Sequence, residues 1–68
     1  MSESPMELVR TMDETVTALL ELARQVRQSV PEVADEELRN EMLESAAGLE
    51  RRAGEMAEAT ERLRVQIN

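Results

Sequence analysis

Residues 29–37 read SVPEVADEE, and this stretch holds the clearest break in a chain of 68 residues. Pro31 lies inside it, lacks a backbone N–H, and clashes with a helical conformation of the residue before it. We therefore expect the helix to stop ahead of Pro31, and Val30 to leave the helical region of backbone geometry. The predicted turn covers residues 30–35, with a long helix-compatible segment on each side.

The segment before the turn begins with residues that favour a helix start. Ser4 can accept a hydrogen bond from a free backbone N–H, Pro5 suits the first helical position, and Glu7 occupies the acidic position of a capping box. Neither proline nor glycine interrupts the chain from there to the turn. The sequence predicts a first helix over about residues 5–29.

The segment after the turn also begins with a capping residue. Asp35 precedes further acidic residues, which favour the positive end of a helix dipole, so it is the expected N-cap. Ser29 with Glu32 is an alternative cap around the proline. We predict a second helix over about residues 36–66, and the whole chain 1–68 as a single all-α domain, an antiparallel two-helix hairpin.

Apolar residues in both predicted helices recur at alternating spacings of three and four, the a and d pattern of a heptad written a to g. Charged residues fall almost entirely outside these positions, and the outermost position f is nearly always charged. The charged f residues are Glu7, Glu14, Glu21, Glu37, Glu44, Arg51 and Glu58. The a and d residues are Val9, Met12, Val16, Leu19, Ala23, Val26 and Val30, then Met42, Ala46, Leu49, Ala53, Met56, Thr60, Leu63 and Ile67.

The apolar stripes are wider than one hairpin can cover, because Leu and Ala also occupy many e and g positions. Such a pattern is typical of helices with several neighbours. A chain of this length also forms only a marginally stable core by itself. We expect two hairpins to pair as a homodimeric four-helix bundle, with another helical protein as the alternative partner. The expected oligomer interface is Val9, Met12, Val16, Leu19, Ala23, Val26, Met42, Ala46, Leu49, Ala53, Met56 and Leu63.

The composition excludes most catalytic and ligand chemistry. The chain has no Cys, His, Lys, Trp, Tyr or Phe, and its eight basic residues are all Arg. Disulfides, metal sites built on Cys or His, and the usual nucleophile–base pairs are therefore excluded. We expect a protein that is not an enzyme and that uses no cofactor and no metal.

The charge balance narrows the classes of partner. Fifteen acidic residues against eight arginines give a net charge of −7. This sign disfavours nonspecific attraction to nucleic acids and to anionic membranes. No apolar run approaches the roughly 20 residues of a membrane span, and the start, MSESPMEL, lacks the pattern of a secretory signal. We expect a cytoplasmic protein without membrane contact, for which nucleic acid is an unfavourable partner.

Carboxylates are the only abundant reactive groups. Glu37, Glu41 and Glu44 share one helical face, and Glu55 and Glu58 form a shorter set. Di-metal sites in helical bundles use inward carboxylates together with His, whereas these acids are expected to face outward. We interpret them as solvated residues. Four pairs of an acid with an arginine one turn away are expected: Glu7–Arg10, Glu21–Arg24, Glu58–Arg62 and Glu61–Arg64.

Three features have two interpretations each. Arg39, the one charge at an a position, either extends into solvent beside the turn or contacts the Asn68 carboxylate or Glu61 of a second hairpin that pairs tip to open end. Gly48 and Gly54 are either tolerated surface residues or points of close approach by a partner backbone. The methionines at d positions either pack in the core or form an adaptable binding surface.

Two helices, a short turn and an antiparallel dimer together resemble the Rop family of small plasmid copy-control proteins. The resemblance concerns the layout, covers most of the chain and includes no specific motif. RNA binding in that family depends on a basic and aromatic face. Here the first helix has only Arg10, Arg24 and Arg27 and no aromatic residue, so RNA binding does not transfer.

The sequence therefore predicts a non-enzymatic helical protein that acts through self-association and protein–protein contacts, as an adaptor or regulatory subunit. The alternative is an acidic decoy that offers carboxylates to a basic, nucleic-acid-binding protein. A Rop-like RNA-binding dimer is third and is disfavoured by the charge. Salt separates the first two, because decoy binding weakens as salt rises whereas apolar binding persists.

Overall fold

The computed structural model of the protein describes residues 4–67. Two long helices, α1 (Pro5–Ser29) and α2 (Glu36–Ile67), are joined by a 3₁₀ turn at Val30–Glu32 and pack against each other along their lengths. No strand occurs within the described residues. The predicted all-α helical hairpin is confirmed, and it forms a rod of 49 × 20 × 16 Å.

Both helices begin at the caps that the sequence indicates. The Ser4 hydroxyl oxygen accepts a hydrogen bond from the Glu7 N–H at 3.2 Å, and a proline follows Ser4 in the first turn. The Asp35 carboxylate accepts from the N–H groups of Glu37 and Leu38 at 2.9 and 3.3 Å. These bonds satisfy N–H groups that have no partner inside a helix, so each helix start is set by its own local sequence.

The turn differs from the expectation in one respect. Val30 keeps helical angles, with φ −54° and ψ −44°, so the prediction that Pro31 forces it out of the helical region is wrong. The chain tightens into a 3₁₀ turn in which the Val33 N–H donates to the Val30 carbonyl at 3.0 Å. A proline is tolerated at the start of such a turn, because its missing N–H is not needed there. Ser29 does not act as the alternative cap; its hydroxyl donates to the Gln25 carbonyl at 3.1 Å.

The contact between α1 and α2 is centred on heptad position a. The hydrophobic residues buried there are Val9, Ala23, Ala46 and Ala53, with exposures of 3% or less. Thr60, also at position a, is 2% exposed, and its hydroxyl donates to the Met56 carbonyl at 2.7 Å. Small side chains along this line allow the two helices to approach closely. The residues at position d, in contrast, are only half-buried. They are Met12, Leu19, Val26, Met42, Leu49, Met56 and Leu63.

Candidate protein interaction face

Position a has different neighbours on its two sides around a helix. With 3.6 residues per turn, position e lies next to position a on one side of the helix. On the other side of position a, position d comes first and position g comes next. Because α1 and α2 run antiparallel with their a residues in contact, the e positions of both helices lie on one side of the hairpin. The d and g positions of both lie on the opposite side. We call the two sides the e edge and the d/g face.

The e edge is closed by ion pairs within the chain. The Arg64 Nη2 lies 2.7 Å from the Asp13 Oδ2, and the Arg27 Nη2 lies 2.6 Å from the Glu50 Oε1. The two pairs fit one antiparallel register. Asp13 and Arg27 are two heptads apart along α1, and their partners Arg64 and Glu50 are two heptads apart along α2 in the opposite direction. Leu20, at the intervening e position, is 47% exposed between them. The apolar surface of the e edge is therefore interrupted by paired charges.

The Arg27–Glu50 pair shifts the pKa of both its members. Hydrogen bonds from the Arg27 guanidinium lower the pKa of the Glu50 carboxyl, and the same bonds raise the pKa of Arg27. A hydrogen bond from Arg24 lowers the pKa of Glu21 in the same way. Glu50 is therefore ionised at neutral pH, so its contact with Arg27 on the e edge is a charged pair.

The d/g face is apolar along its centre instead, and its rims combine apolar with polar residues. Its centre is formed by the half-buried d residues of both helices, and its rims by the g residues. Leu8 and Leu22 on the α1 rim are 43% and 48% exposed, and Leu38 on the α2 rim is 45% exposed. The g residues are Leu8, Thr15, Leu22, Ser29, Leu38, Ser45, Arg52, Ala59 and Gln66.

Among residues 4–67, no acidic residue lies at the d and g positions that form this face, although the chain contains fifteen acids. The single charged residue among its d and g positions is Arg52, at the middle of α2. The acids of the described helices lie at b, c, e and f. A surface that is apolar and free of carboxylates, on a protein of net charge −7, is typical of an interface.

The twelve residues predicted as an oligomer interface divide into two groups. Four are buried between the helices of one chain, so their surface is already covered: Val9, Ala23, Ala46 and Ala53. The other eight keep exposed surface: Met12, Val16, Leu19, Val26, Met42, Leu49, Met56 and Leu63. Seven of these eight are d residues. The sequence did not separate position a from position d, because both are apolar and equally spaced.

A hollow of about 440 Å³ lies at the rim of the d/g face, where Gly48 has no side chain. It is lined by Arg51, Arg52 and Glu55, together with Ser45 and Leu49. A Cβ added at Gly48 would meet the Arg51 Nη2 at 3.8 Å, whereas one added at Gly54 would meet nothing within 4 Å. The two glycines therefore lie in different surroundings, one in a hollow and one on the open surface.

The outward acids have few partners. Of the four expected near-neighbour pairs, Glu21–Arg24 and Glu61–Arg64 form, at 3.1 and 2.8 Å. The other two are not within ion-pair distance among residues 4–67. The interhelical pairs on the e edge were not predicted from the sequence. The pattern that indicates them is the presence of opposite charges at e positions that share one antiparallel register. In the same described range, no three acids converge where they could hold a metal ion.

Two further findings bear on the class of protein. Neither described helix is long and apolar enough to cross a membrane. No family model, no curated protein and no solved structure matches this chain. The resemblance to the Rop family inferred from the sequence therefore has no support beyond the helical hairpin itself.

Proposed function

We propose that the protein acts without catalysis, by self-association into a homodimeric four-helix bundle that serves as an adaptor or regulatory subunit for other proteins. The observation that carries this proposal is the d/g face, a row of half-buried apolar residues without a single carboxylate. Half-exposed residues such as Leu19 and Met56 stabilise a fold much more when a second apolar surface covers them.

The size of the hairpin supports the same conclusion. Among the described residues, Thr60 is the largest side chain that is completely buried, so one chain has almost no core. Its accessible surface is 5284 Å², whereas a compact monomer of 7.7 kDa exposes roughly 4,300 Å². The excess, on the order of 1,000 Å², is comparable to the ~800 Å² that each partner buries in a standard protein interface.

The test is to measure mass by light scattering with refractive-index detection, alongside helicity by circular dichroism, over a range of concentrations. We expect a dimer at micromolar concentration whose helicity falls on dilution. Leu19→Asp should convert it to monomer, because a charge would then lie in the apolar interface. Val65→Asp is the matched control, since Val65 is 68% exposed at position f. A well-folded monomer at micromolar concentration would overturn the proposal.

A second candidate function is supported by the distribution of charge. Residues 30–44 at the turn contain six acids and one arginine, a net charge of −5. Such a concentration of carboxylates suits an acidic decoy for a basic, nucleic-acid-binding protein. Binding to such a protein should weaken steeply as salt rises, whereas binding through the d/g face should persist. Loss of partner binding by about 0.5 M salt, where screening acts within a few ångströms, would favour the decoy.

A further inference from the structure

We propose that the d/g face is occupied by a second copy of this chain, lying face to face and antiparallel, so that the turn of one hairpin covers the open end of the other. The proposal rests on the self-association argued above and adds the surface, the orientation and the residues at the symmetry axis. Two identical faces pair about a two-fold axis that lies in the interface. That axis lies either along the length of the rod, which pairs the hairpins tip to tip, or across the rod, which pairs the tip of one hairpin with the open end of the other.

The choice of face follows from charge and exposure. The e edge already uses Asp13, Arg27, Glu50 and Arg64 in contacts between its own two helices. A second copy docked there would have to cover these ion pairs, and desolvating them costs free energy. The d/g face presents no carboxylate and a single arginine. Pairing on the d/g face therefore desolvates the fewest charges.

The orientation follows from the uneven charge along the rod. The tip, residues 30–44, has six acids and one arginine, a net −5. The open end, residues 4–17 with 58–67, has five acids and three arginines, a net −2. The centre, residues 18–29 with 45–57, has three acids and four arginines, a net +1. The hairpin is thus strongly polarised toward its tip.

Pairing tip to tip would bring two groups of net −5 to the same end of the bundle. Pairing tip to open end separates them by most of the 49 Å length of the rod. Charges interact over a screening length of about 10 Å at 0.1 M salt. The tips therefore repel each other when the hairpins pair tip to tip, and they are screened from each other when the hairpins pair tip to open end. This favours the tip-to-open-end pairing, whose two-fold axis crosses the rod. We call it the crossed arrangement.

In the crossed arrangement α1 lies over α1 of the second copy and α2 lies over α2. Arg52, at the middle of α2, then lies beside the axis, next to the hollow at Gly48 of the second copy. Glu55 lines the same hollow together with Arg51 and Arg52, so the incoming Arg52 guanidinium meets one carboxylate there beside two arginines. The hollow that Gly48 leaves open is thereby filled by the one charged residue of the face.

The chain has no cysteine, so engineered single cysteines report directly on which residues meet. Leu22→Cys and Arg52→Cys place one thiol on each rim near the middle of the rod. In the crossed arrangement each variant forms a disulfide with its own copy, and an equal mixture gives no mixed disulfide. In the tip-to-tip arrangement neither variant forms a disulfide with its own copy. The mixture instead gives a mixed disulfide between one Leu22→Cys chain and one Arg52→Cys chain.

Two controls complete the experiment. Ala59→Cys lies seven residues from Arg52. In the crossed arrangement the Ala59→Cys positions of the two copies are therefore about 20 Å apart, and no disulfide forms between them. Leu20→Cys, on the e edge, should also stay free. We expect most of the Leu22→Cys and Arg52→Cys chains as covalent dimers after mild oxidation.

The outcomes separate the two proposals. A monomer by light scattering overturns the self-association itself. A dimer that yields the mixed disulfide, or none of these products, overturns the crossed arrangement while the self-association stands. Efficient cross-linking of Leu20→Cys overturns the choice of the d/g face.

Discussion

Arg27 of α1 and Glu50 of α2 form a two-point contact across the hairpin, with the guanidinium Nε and Nη2 donating to the two carboxylate oxygens at 3.0 and 2.6 Å. The two residues are far apart in sequence and lie on the e edge, the side opposite the apolar d/g face. The contact accompanies a rotation of the two helices that buries a residues such as Ala23 and Ala46 between them and leaves the d residues half-exposed.

Removing the charge of Glu50 should destabilise the hairpin slightly. Glu50→Gln is expected to lower the melting temperature at pH 7, because Arg27 loses its ionic partner. Glu58→Gln, which removes an outward charge at position f, is the control and should leave the melting temperature unchanged or raise it. Thermal denaturation followed by circular dichroism measures both. Equal melting temperatures for the two variants would contradict a stabilising role for the pair.

The same variant has a defined dependence on pH. The pKa of Glu50 is lowered in the folded state, so the stabilisation by its charge is present above the carboxyl's unfolded pKa. It is lost as the pH falls through the lowered, folded value. The difference in melting temperature between the parent protein and Glu50→Gln should therefore be full at pH 7 and vanish in acid. A difference that stays constant into acid would show that packing, and not charge, is responsible.

The close approach of the helices at position a predicts a strong dependence on side-chain size. Ala53 is 1% exposed, so Ala53→Leu has no space and should destabilise the protein by about 1–3 kcal/mol. Ala57→Leu, one turn further at an exposed e position, is the matched control and should be nearly neutral. Urea denaturation at fixed protein concentration measures both changes. Tolerance of Ala53→Leu would show that the helices are further apart than the structure indicates.

The two glycines should respond differently to alanine. Gly54→Ala meets nothing within 4 Å and should stabilise α2 by about 0.5–1 kcal/mol without changing dimerisation. Gly48→Ala gains the same helix propensity but narrows the hollow that we assign to Arg52 of the second copy. It should therefore raise the dimer dissociation constant relative to Gly54→Ala. Sedimentation equilibrium measures that constant, and equal values for the two variants would remove the role of the hollow.

Arg39 tests the orientation of the dimer by an independent route. It is half-buried at position a beside the turn, and among residues 4–67 it has no acid within ion-pair distance. Of its two expected contacts in a second copy, Asn68 lies outside the described residues, and Glu61, at position b, lies away from the d/g face, so the effect of Arg39 on the dimer has to come from the charge of the tip. Arg39→Gln should weaken the dimer, because the tip loses its one positive charge. Arg51→Gln is the exposed control, and an unchanged or tighter dimer for Arg39→Gln would contradict the prediction.

Much of the hairpin follows from local chemistry. The caps at Ser4 and Asp35 form as predicted, because a cap needs only a side-chain oxygen and the N–H groups two or three residues later. The outward charged f positions are exposed as predicted, since the apolar stripe alone dictates which side of a helix faces water. Val30 is the exception, because the penalty that Pro31 imposes is small enough for a tight turn to offset.

By itself the sequence determined the two helices, their caps and their apolar stripes, because hydrogen bonds and periodicity within one segment decide these. The tertiary structure decided which row of each stripe closes the hairpin. Positions a and d are equivalent in spacing, but small residues such as Ala46 and Ala53 at a let the backbones approach closely, and the Arg27–Glu50 and Asp13–Arg64 pairs hold the helices in that rotation. Most of row a is thereby buried within one chain, whereas row d stays half-exposed, which is why we propose it as the surface that a second copy covers.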